Sequence, residues 1–250
     1  MTAEKIRFSN TVMLLAVVSL LGAGWRVAKA YEAMEVKDGG AIVGTVKFVG
    51  VPPVPEPLEV TRDRIECGVG SHLSESLITS EESGIQNVVV SLKDIGKGKA
   101  HPRRDENIAL VQEKCRFKPH VLLVPADSTV DLRNNDDITH HIHTVSTLNP
   151  AVDLVQPGFK KRLRIKLRDP EIIQVNCEIH PWMTAWFVVT GHPYYVITDS
   201  NGAFALTDIP PGIYTLHVWH ETLGTHSQAV VVMADKETQV IIEMKLKAPF

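Results

Sequence analysis

A seven-residue stretch of the chain, Cys177–Met183 (CEIHPWM), carries three side chains that bind soft or borderline metal ions. It places the thiol of Cys177, the imidazole of His180 and the thioether of Met183 at the spacing C-x2-H-x2-M. Zinc rarely takes a methionine ligand, whereas two histidines, one cysteine and a weak axial methionine form the donor set of a blue-copper electron-transfer centre. The spacing therefore predicts a mononuclear copper site that takes one more histidine from elsewhere in the chain.

A histidine cluster upstream, THHIH at residues 139–143, supplies candidates for that ligand. His140, His141 and His143 follow a polar turn, NNDD at residues 134–137, and precede Cys177 by one or two predicted strands. Each motif has an ordinary alternative, because a cysteine at a strand end is often a small buried hydrophobe and the histidines would suit a polar surface loop. The conjunction of the two motifs favours copper.

Short apolar or alternating segments separated by turn residues dominate the chain after residue 30, and no segment shows a long helical period. This pattern is typical of an all-β sandwich or barrel. A Pro-rich stretch at residues 51–57 (VPPVPEP) is unsuited to a central strand and predicts an arm. A second series of strands begins near Gly191 and predicts a small sandwich of its own. The earlier predicted strands are 41–49, 87–92, 121–124, 129–132, 161–167 and 171–176.

The first thirty residues have the three-part layout of a secretory signal peptide. Lys5 and Arg7 precede an apolar run at residues 11–24, and AKA at residues 28–30 offers a cleavage site. The run is shorter than the about 20 residues that a membrane-spanning helix needs, so an uncleaved anchor is the less favoured alternative. We therefore expect a periplasmic or otherwise exported protein, attached to a membrane only if this segment stays uncleaved.

The overall composition excludes several classes of protein. Lys and Arg total 26 against 29 Asp and Glu, which gives a formal net charge of −3 and no polybasic surface for nucleic acid. Hydrophobic residues make up 44% of the chain, which argues against a wholly disordered protein. We therefore expect a folded protein with no nucleic-acid partner.

The segment from about residue 105 to 190 resembles a cupredoxin, the family of plastocyanin and amicyanin. The amicyanin-type ligand loop has the pattern C-x2-H-P-x-M, which Cys177–Met183 fits, Pro181 included. The family's upstream ligand is the first histidine of a P-H-N-V-H-like run, with which residues 139–143 align. Residues 40–246 as a whole resemble exported methylamine-utilisation-protein-like cupredoxins that carry a carboxypeptidase regulatory-like tail. The motifs D-x2-G-x-F at 199–204 and IPPG-x-Y at 209–214 match that tail, a transthyretin-like sandwich.

This resemblance implies one copper ion that alternates between Cu(I) and Cu(II). The ligands that it implies are His140, Cys177, His180 and, as the weak axial ligand, Met183. His141 and His143 remain alternatives for the first histidine, because Thr139 and His141 replace the proline and asparagine of the family's run. In cupredoxins the second ligand histidine reaches the surface through an apolar patch, which would here include Pro181 and Trp182. Such a patch would serve a redox partner such as a c-type cytochrome or a periplasmic oxidoreductase.

The predicted fold is thus all-β, a cupredoxin Greek-key β-sandwich followed by a small transthyretin-like β-sandwich. Its predicted parts are a signal peptide at 1–30, N-terminal strands and a Pro-rich arm at 31–104 joined to the copper domain, a cupredoxin core at 105–190, and a carboxypeptidase regulatory-like β-sandwich at 191–250.

Two further cysteines, Cys67 and Cys115, are predicted to form a disulfide in an oxidising compartment. Pairing them leaves Cys177 free as the thiolate ligand. By loop entropy, closing about 49 residues in this way is worth roughly 4 kcal/mol. The alternative is a second metal site that uses Cys115 and His120, with His143 as an optional third ligand.

Three functions compete at this point. The first is a blue-copper electron carrier, the second a copper-delivery or structural cell-envelope protein, and the third a copper oxidoreductase. In oxidases and reductases related to cupredoxins, a histidine beside the copper-binding cysteine connects one copper to the next, but Asn176 and Glu178 flank Cys177 here. Delivery proteins more often use flexible Met-rich or His-rich segments, which the chain lacks. The sequence therefore favours electron transfer without enzymatic activity.

Overall fold

The computed structural model describes residues 31–68, 70, 72–101 and 108–246, so the predicted signal peptide at 1–30 lies outside the described residues. Strands form almost all of the regular structure, and the described part contains a single helix, the four-residue α1 (Arg64–Cys67). The predicted all-β fold class is confirmed. Within the described ranges, no helix has the length and apolar character needed to cross a membrane.

Eighteen strands run through the described residues, and many of them alternate buried with exposed side chains, as half-buried strands do. They form two β-sandwiches and one short parallel pair, which joins the first strand to the fourth. In chain order they are β1 (Glu32–Ala33), β2 (Gly40–Phe48), β3 (Val89–Lys93), β4 (Lys97–Gly98), β5 (Ala109–Gln112), β6 (Phe117–Lys118), β7 (Val121–Pro125), β8 (Ser128–Asn134), β9 (His140–Val145), β10 (Asp153–Gln156), β11 (Arg162–Leu167), β12 (Ile172–Cys177), β13 (Thr184–Thr190), β14 (Tyr195–Ile197), β15 (Ala203–Ile209), β16 (Gly212–His220), β17 (Gly224–Val232) and β18 (Glu237–Met244).

The first sandwich contains both predicted copper motifs. One of its sheets has the strand order β10-β9-β12-β13-β7 and the other has the order β11-β8-β5-β6. Their inner faces share a core in which Leu132, Ile142, Ile173 and Phe187 are fully buried. This unit is the predicted cupredoxin-like β-sandwich.

The register of one strand pair brings the two motifs together. Strand β9 begins at His140 and strand β12 ends at Cys177, and the two strands are antiparallel neighbours with Cys177 opposite Ile142. The start of one antiparallel strand lies beside the end of its partner. His140 and Cys177 therefore lie at the same end of the sandwich.

The second sandwich is not built from the C-terminal segment alone. Its sheets have the orders β14-β3-β16-β17 and β15-β2-β18, so β2 and β3 from the N-terminal part complete them. The prediction that the strands of residues 31–104 join the copper domain, and that residues 191–250 form a sandwich by themselves, is wrong for these two strands. Strand β3 shows why it pairs where it does, because Val90 and Leu92 fill the core of the second sandwich while Val89 packs against the first. A strand that is buried on both faces needs a packing partner on each of them.

The arm between β2 and β3 does lie against the first sandwich. A disulfide joins Cys67 of α1 to Cys115, which lies between β5 and β6. Beside it, the Nε–H of Arg116 donates to Nδ1 of His72 at 2.7 Å, and Nε2 of His72 hydrogen-bonds the carbonyl oxygen of Cys67 at 2.7 Å. The arm is thus held to the β5–β6 turn by the disulfide and by the hydrogen bond from Arg116 to His72, and the bond from His72 to Cys67 braces the arm itself.

The mixed origin of the second sandwich leads to a stability prediction. We expect Ile42→Ala, in β2, to lower the free energy of unfolding of this sandwich by about 2–5 kcal/mol, because it leaves a cavity in a packed core. Ile241→Ala, on the neighbouring strand β18, is the control, and we expect it to change that free energy by less than about 0.5 kcal/mol. Ile42 is 0% exposed and Ile241 is 67% exposed. Equilibrium urea unfolding measures both, and equally small losses would contradict the burial of β2 in this core.

Candidate metal centre

Three donor atoms from the two predicted motifs converge at one end of the first sandwich. The Sγ atom of Cys177 lies 3.9 Å from Nδ1 of His140 and 3.6 Å from Nδ1 of His180, and the two Nδ1 atoms are 3.1 Å apart. Ligand atoms that lie about 2.0–2.3 Å from a common ion are separated from each other by about 3.3–3.8 Å. The triangle therefore has the size of a three-ligand metal site.

The loop after Cys177 is closed by backbone hydrogen bonds. The N–H of Cys177 donates to the carbonyl of Met183 at 3.2 Å, and the N–H of Met183 donates to the carbonyl of His180 at 2.9 Å. The N–H of Glu178 donates to the carbonyl of His141 at 3.0 Å, which ties the loop to β9. Met183 is 1% exposed and lies in the core of the first sandwich. The loop therefore keeps its three candidate ligands at one end of the sandwich, and the axial role of Met183 stays a prediction.

Two carboxylates that the sequence analysis missed hold the far nitrogens of the two imidazoles. Oδ2 of Asp136 lies 2.9 Å from Nε2 of His140, and Oδ2 of Asp63 lies 2.9 Å from Nε2 of His180. Because a carboxylate only accepts, each Nε2 carries a proton, and each Nδ1 faces the sulfur, to which it donates when protonated and presents a lone pair when not. Histidines that bind metals are commonly oriented by a carboxylate in this way.

The chain positions each of these carboxylates by unusual backbone geometry. The carboxylate of Asp136 accepts the N–H groups of Lys114 and Cys115 at 2.6 and 3.0 Å, and both donors have positive φ, 51° and 52°. Successive N–H groups in such a turn form a concave site for an anion. Asp63 itself has φ of 45°, a left-handed conformation that aspartate adopts more readily than most residues. The turn that bears the disulfide thus also supports the carboxylate behind His140.

Sequence signals for these two residues differ in strength. Asp136 belongs to the polar turn noted before the histidine cluster and precedes His140 by four residues, so proximity to a candidate ligand could have identified it. Asp63 lies 117 residues before His180, in an arm without periodicity, and no local pattern marks it.

The electrostatics of the cluster favour a thiolate at Cys177. Burial raises the pKa of its thiol, but hydrogen bonds from His140, His180 and the backbone N–H of His141 outweigh burial and lower the pKa from 9.0 to about 5. Burial lowers the pKa of His140, yet Asp136 and the sulfur of Cys177 together raise it above its ordinary value. The thiolate is the form of cysteine that binds metals.

The alternative ligands His141 and His143 are not brought into the cluster. Side chains alternate between the two faces of β9, so His140 and Ile142 are fully buried whereas His141 and His143 are partly exposed. The ring of His141 contacts the carboxylate of Asp153, and Nδ1 of His143 lies 2.9 Å from a carboxylate oxygen of Glu178. Of the three histidines in the run, only His140 directs its ring to the thiol.

His180 does not reach the surface in the way that the family resemblance implied. It is fully buried, because Asp63 of the arm covers its Nε2 edge. Trp182 packs with its ring centroid 5.1 Å from that of His180, is partly buried, and donates its indole N–H to the carbonyl of Cys115 at 3.2 Å. Pro181 is exposed beside it. The predicted exit patch is therefore reduced to the outer edges of Pro181 and Trp182, with the arm alongside.

The predicted disulfide between Cys67 and Cys115 lies directly beside this centre. The sulfurs of Cys67 and Cys115 are within 4.8 Å of a ring nitrogen of His180. A disulfide sulfur is not a thiolate, so neither atom is available as a strong ligand. The alternative second site made from Cys115, His120 and His143 is not assembled, since Cys115 is oxidised, His143 pairs with Glu178, and His120 pairs with Glu221.

Comparisons with known proteins give two kinds of match. A family model described as polysaccharide lyase family 4, domain II, matches residues 179–240, and no curated protein matches the chain. Among solved structures, a copper-containing nitrite reductase from Thermus scotoductus SA-01 is 26% identical with a TM-score of 0.30, over 33% of this chain and 22% of its own length. A reduced amicyanin variant is 20% identical with a TM-score of 0.31, over 34% of this chain and 84% of its own. A purple cupredoxin from Nitrosopumilus maritimus is 16% identical with a TM-score of 0.29, over 33% of this chain and 99% of its own.

The family-model match overlaps the segment predicted to be carboxypeptidase regulatory-like and gives it a different family description. The transthyretin-like identity of that segment therefore stays a prediction. The chain spans about a fifth of the nitrite reductase that it matches.

The lowered pKa of Cys177 leads to a prediction for the metal-free protein. We expect the ultraviolet absorbance of its thiolate to disappear only as the pH falls through about 5, whereas an ordinary cysteine titrates near about 8.5. Because the folded state lowers this pKa, the contribution of Cys177 to the free energy of unfolding is complete above the ordinary cysteine pKa and is lost as the pH falls through about 5.

Cys177→Ser supplies the baseline for this titration, since the other two cysteines are in the disulfide. A thiolate signal that disappears at the ordinary cysteine pKa would show that the two imidazoles do not contact the sulfur in solution.

Proposed function

We propose that this protein is an exported blue-copper electron carrier. One copper ion is held by Nδ1 of His140, Sγ of Cys177 and Nδ1 of His180, with Met183 as the weak axial ligand. Copper supplies reversible one-electron chemistry between Cu(I) and Cu(II) when it is bound. The observation that carries the proposal is the convergence of two carboxylate-oriented imidazole nitrogens on one thiolate.

These donors need a cation between them. With a metal ion bound, each Nδ1 would present a lone pair and the sulfur a negative charge, and the three atoms lie within 3.9 Å of one another in a buried site. Electron-rich atoms so close in a low dielectric repel each other unless a proton or a metal ion lies among them. A thiolate with two imidazoles is a soft to borderline donor set, which favours copper over magnesium or calcium.

The surrounding residues restrict movement of the ligands. Asp136 and Asp63 fix the two rings, the N–H of His141 lies 3.5 Å from Sγ of Cys177, and the backbone bonds of the loop fix its ends. Donors that are held before the metal arrives do not have to rearrange when its charge changes. This rigidity supports electron transfer, which is fastest when the ligand geometry is the same in both oxidation states.

Burial of the centre argues against a catalytic use of the same residues. Cys177, His140 and Asp136 superficially match a cysteine nucleophile with its base and orienting acid. Such a nucleophile needs an adjoining space for the substrate carbonyl, but Cys177 is 2% exposed and His180 contacts its sulfur. The same burial leaves no open position for an oxidase or reductase substrate, so electron transfer is favoured over the oxidoreductase alternative.

The partner and location follow from the proposed role. We propose a periplasmic setting, in keeping with the predicted signal peptide and the disulfide. A redox protein such as a c-type cytochrome would dock at Pro181 and Trp182, because Trp182 contacts both His180 and the protein surface. A copper-delivery role is less favoured, since the arm and its disulfide close the site on the side from which a receiving protein would reach His180.

The visible spectrum tests the proposal. We expect the copper-loaded protein to show an intense copper–thiolate charge-transfer band that bleaches on reduction and returns on reoxidation. Cys177→Ser abolishes the band because it removes the thiolate, and His140→Ala weakens or abolishes it. His141→Ala is the matched control from the same run and leaves the band in place. Colour that survives Cys177→Ser, or that is lost in His141→Ala and kept in His140→Ala, would contradict the assignment.

The carboxylate of the arm gives a second test. We expect Asp63→Ala to weaken copper binding by about 10- to 100-fold, because removal of a carboxylate behind a ligand histidine has effects of that size. Asp153→Ala is the control, since its carboxylate contacts His141, which is not a ligand. Competition with a chelator of known affinity measures both variants. Equal affinities in the two would show that Asp63 does not act on the metal through His180.

A further inference from the structure

A third buried histidine has the same orientation as the two candidate copper ligands. His120 lies between β6 and β7, with its side chain 4% exposed, and its Nε2 contacts a carboxylate oxygen of Glu221. The other oxygen of Glu221 accepts the indole N–H of Trp186 at 3.0 Å. Glu221 follows β16 of the second sandwich, so its carboxylate reaches across to the first. As at His140 and His180, the carboxylate accepts a hydrogen bond from Nε2–H, so that Nδ1 faces the other way.

Among the described residues, the Nδ1 atom of His120 makes no hydrogen bond of normal geometry, although the backbone of Thr184 is close enough to raise the pKa of the ring. Its ring lines a cavity of about 200 Å³, which is also lined by Glu75 and Ser74 of the arm and by Met183 of the copper loop. Oε2 of Glu75 lies 3.9 Å from this Nδ1, too far for a hydrogen bond. A buried polar atom without a partner costs about 1–3 kcal/mol, so its retention beside a polar cavity requires an explanation.

We propose that His120 and Glu75 bind a second transition-metal ion in this cavity, a divalent ion such as Zn²⁺ or Cu²⁺, with water as the remaining ligands. Ligands at about 2.0–2.2 Å from one ion are separated by about 3–4 Å, and the Nδ1-to-Oε2 distance falls in that range. The set of one imidazole and one carboxylate lacks a thiolate, so Cu²⁺ bound here is not blue.

The charges around the cavity suit a dication. Glu75 and Glu221 carry two negative charges, and Arg116, whose guanidinium lies 3.3 Å from Oε2 of Glu75, carries one positive charge. Burial lowers the pKa of His120, but Glu221 and then Glu75 raise it overall, so the ion has to displace a proton. Arg116 holds the carboxylate at the cavity wall through Oε2, the same oxygen that faces Nδ1 of His120, so the ion would share this oxygen with the guanidinium.

The site joins three separate parts of the chain. Glu75 belongs to the arm, His120 to the first sandwich, and Glu221, which orients His120, to the second. An ion that binds His120 and Glu75 together in the folded protein, and cannot do so in the unfolded chain, raises the apparent stability by mass action. We therefore assign the second site a structural role, namely to fix the arm and the two sandwiches relative to one another.

Zinc titration of the copper-loaded full-length protein tests the proposal. We expect one additional Zn²⁺ per chain with the copper colour unchanged, and a higher midpoint of thermal unfolding at saturating zinc. His120→Gln and Glu75→Gln should each weaken zinc binding by at least about tenfold. His143→Gln is the control, because His143 also pairs with a glutamate but lies at the surface.

Two further measurements keep the result interpretable. Far-ultraviolet circular dichroism checks the folding of His120→Gln. If that variant unfolds, Glu75→Gln at the cavity rim replaces it as the test of zinc binding. The double variant Cys177→Ser/His140→Ala should bind the same zinc, which separates this site from the copper centre and from any failure of the proposed function. Absence of a zinc ion beyond the copper, or zinc binding that survives both His120→Gln and Glu75→Gln, would overturn the proposal.

Discussion

The structure depends on holding three mutually repelling donors at one buried point. The sulfur of Cys177 and the Nδ1 atoms of His140 and His180 lie within 3.9 Å of each other, and none of the three residues has appreciable exposure to water. In a low-dielectric interior this arrangement needs a positive charge among the donors, and Asp136 and the sulfur of Cys177 favour a proton on His140 by raising its pKa. Asp136 and Asp63 orient the two rings from behind, and the positive-φ residues Asp63, Lys114 and Cys115 help to position these two carboxylates.

The two carboxylates are held in different ways that meet at one turn. Asp136 is gripped by the backbone N–H groups of Lys114 and Cys115, and Asp63 is carried on the arm that Cys67 ties to Cys115. The disulfide therefore links the turn that holds Asp136, behind His140, to the arm that carries Asp63, behind His180. The paired strands β9 and β12 and the loop after Cys177 bring the donors together, and this turn and arm hold the carboxylates behind them.

Local features of the sequence sufficed for the ligand loop and for the class of fold. The loop from Cys177 to Met183 is contiguous, and His140 begins a strand that pairs with the strand ending at Cys177, so the donors are brought together by short-range pattern and simple antiparallel pairing. Partner choice among strands is a non-local property. The apolar strands β2 and β3 would suit several sheets, and only tertiary packing assigns them to the second sandwich. Asp63 lies beyond the reach of sequence patterns for the same reason.

The interleaving of the second sandwich affects how the chain must fold during its synthesis. Strand β2, near the start, pairs in parallel with β18, near the end, and the whole first sandwich lies between them in the sequence. A chain that emerges from its N-terminus can complete the first sandwich while both edges of β2 still lack their partners, β15 and β18. The second sandwich closes only after Glu237–Met244 has emerged, and closing so long a loop costs little more once the inserted unit is already compact. The strand order therefore allows the first sandwich to be completed before the unit that encloses it in sequence.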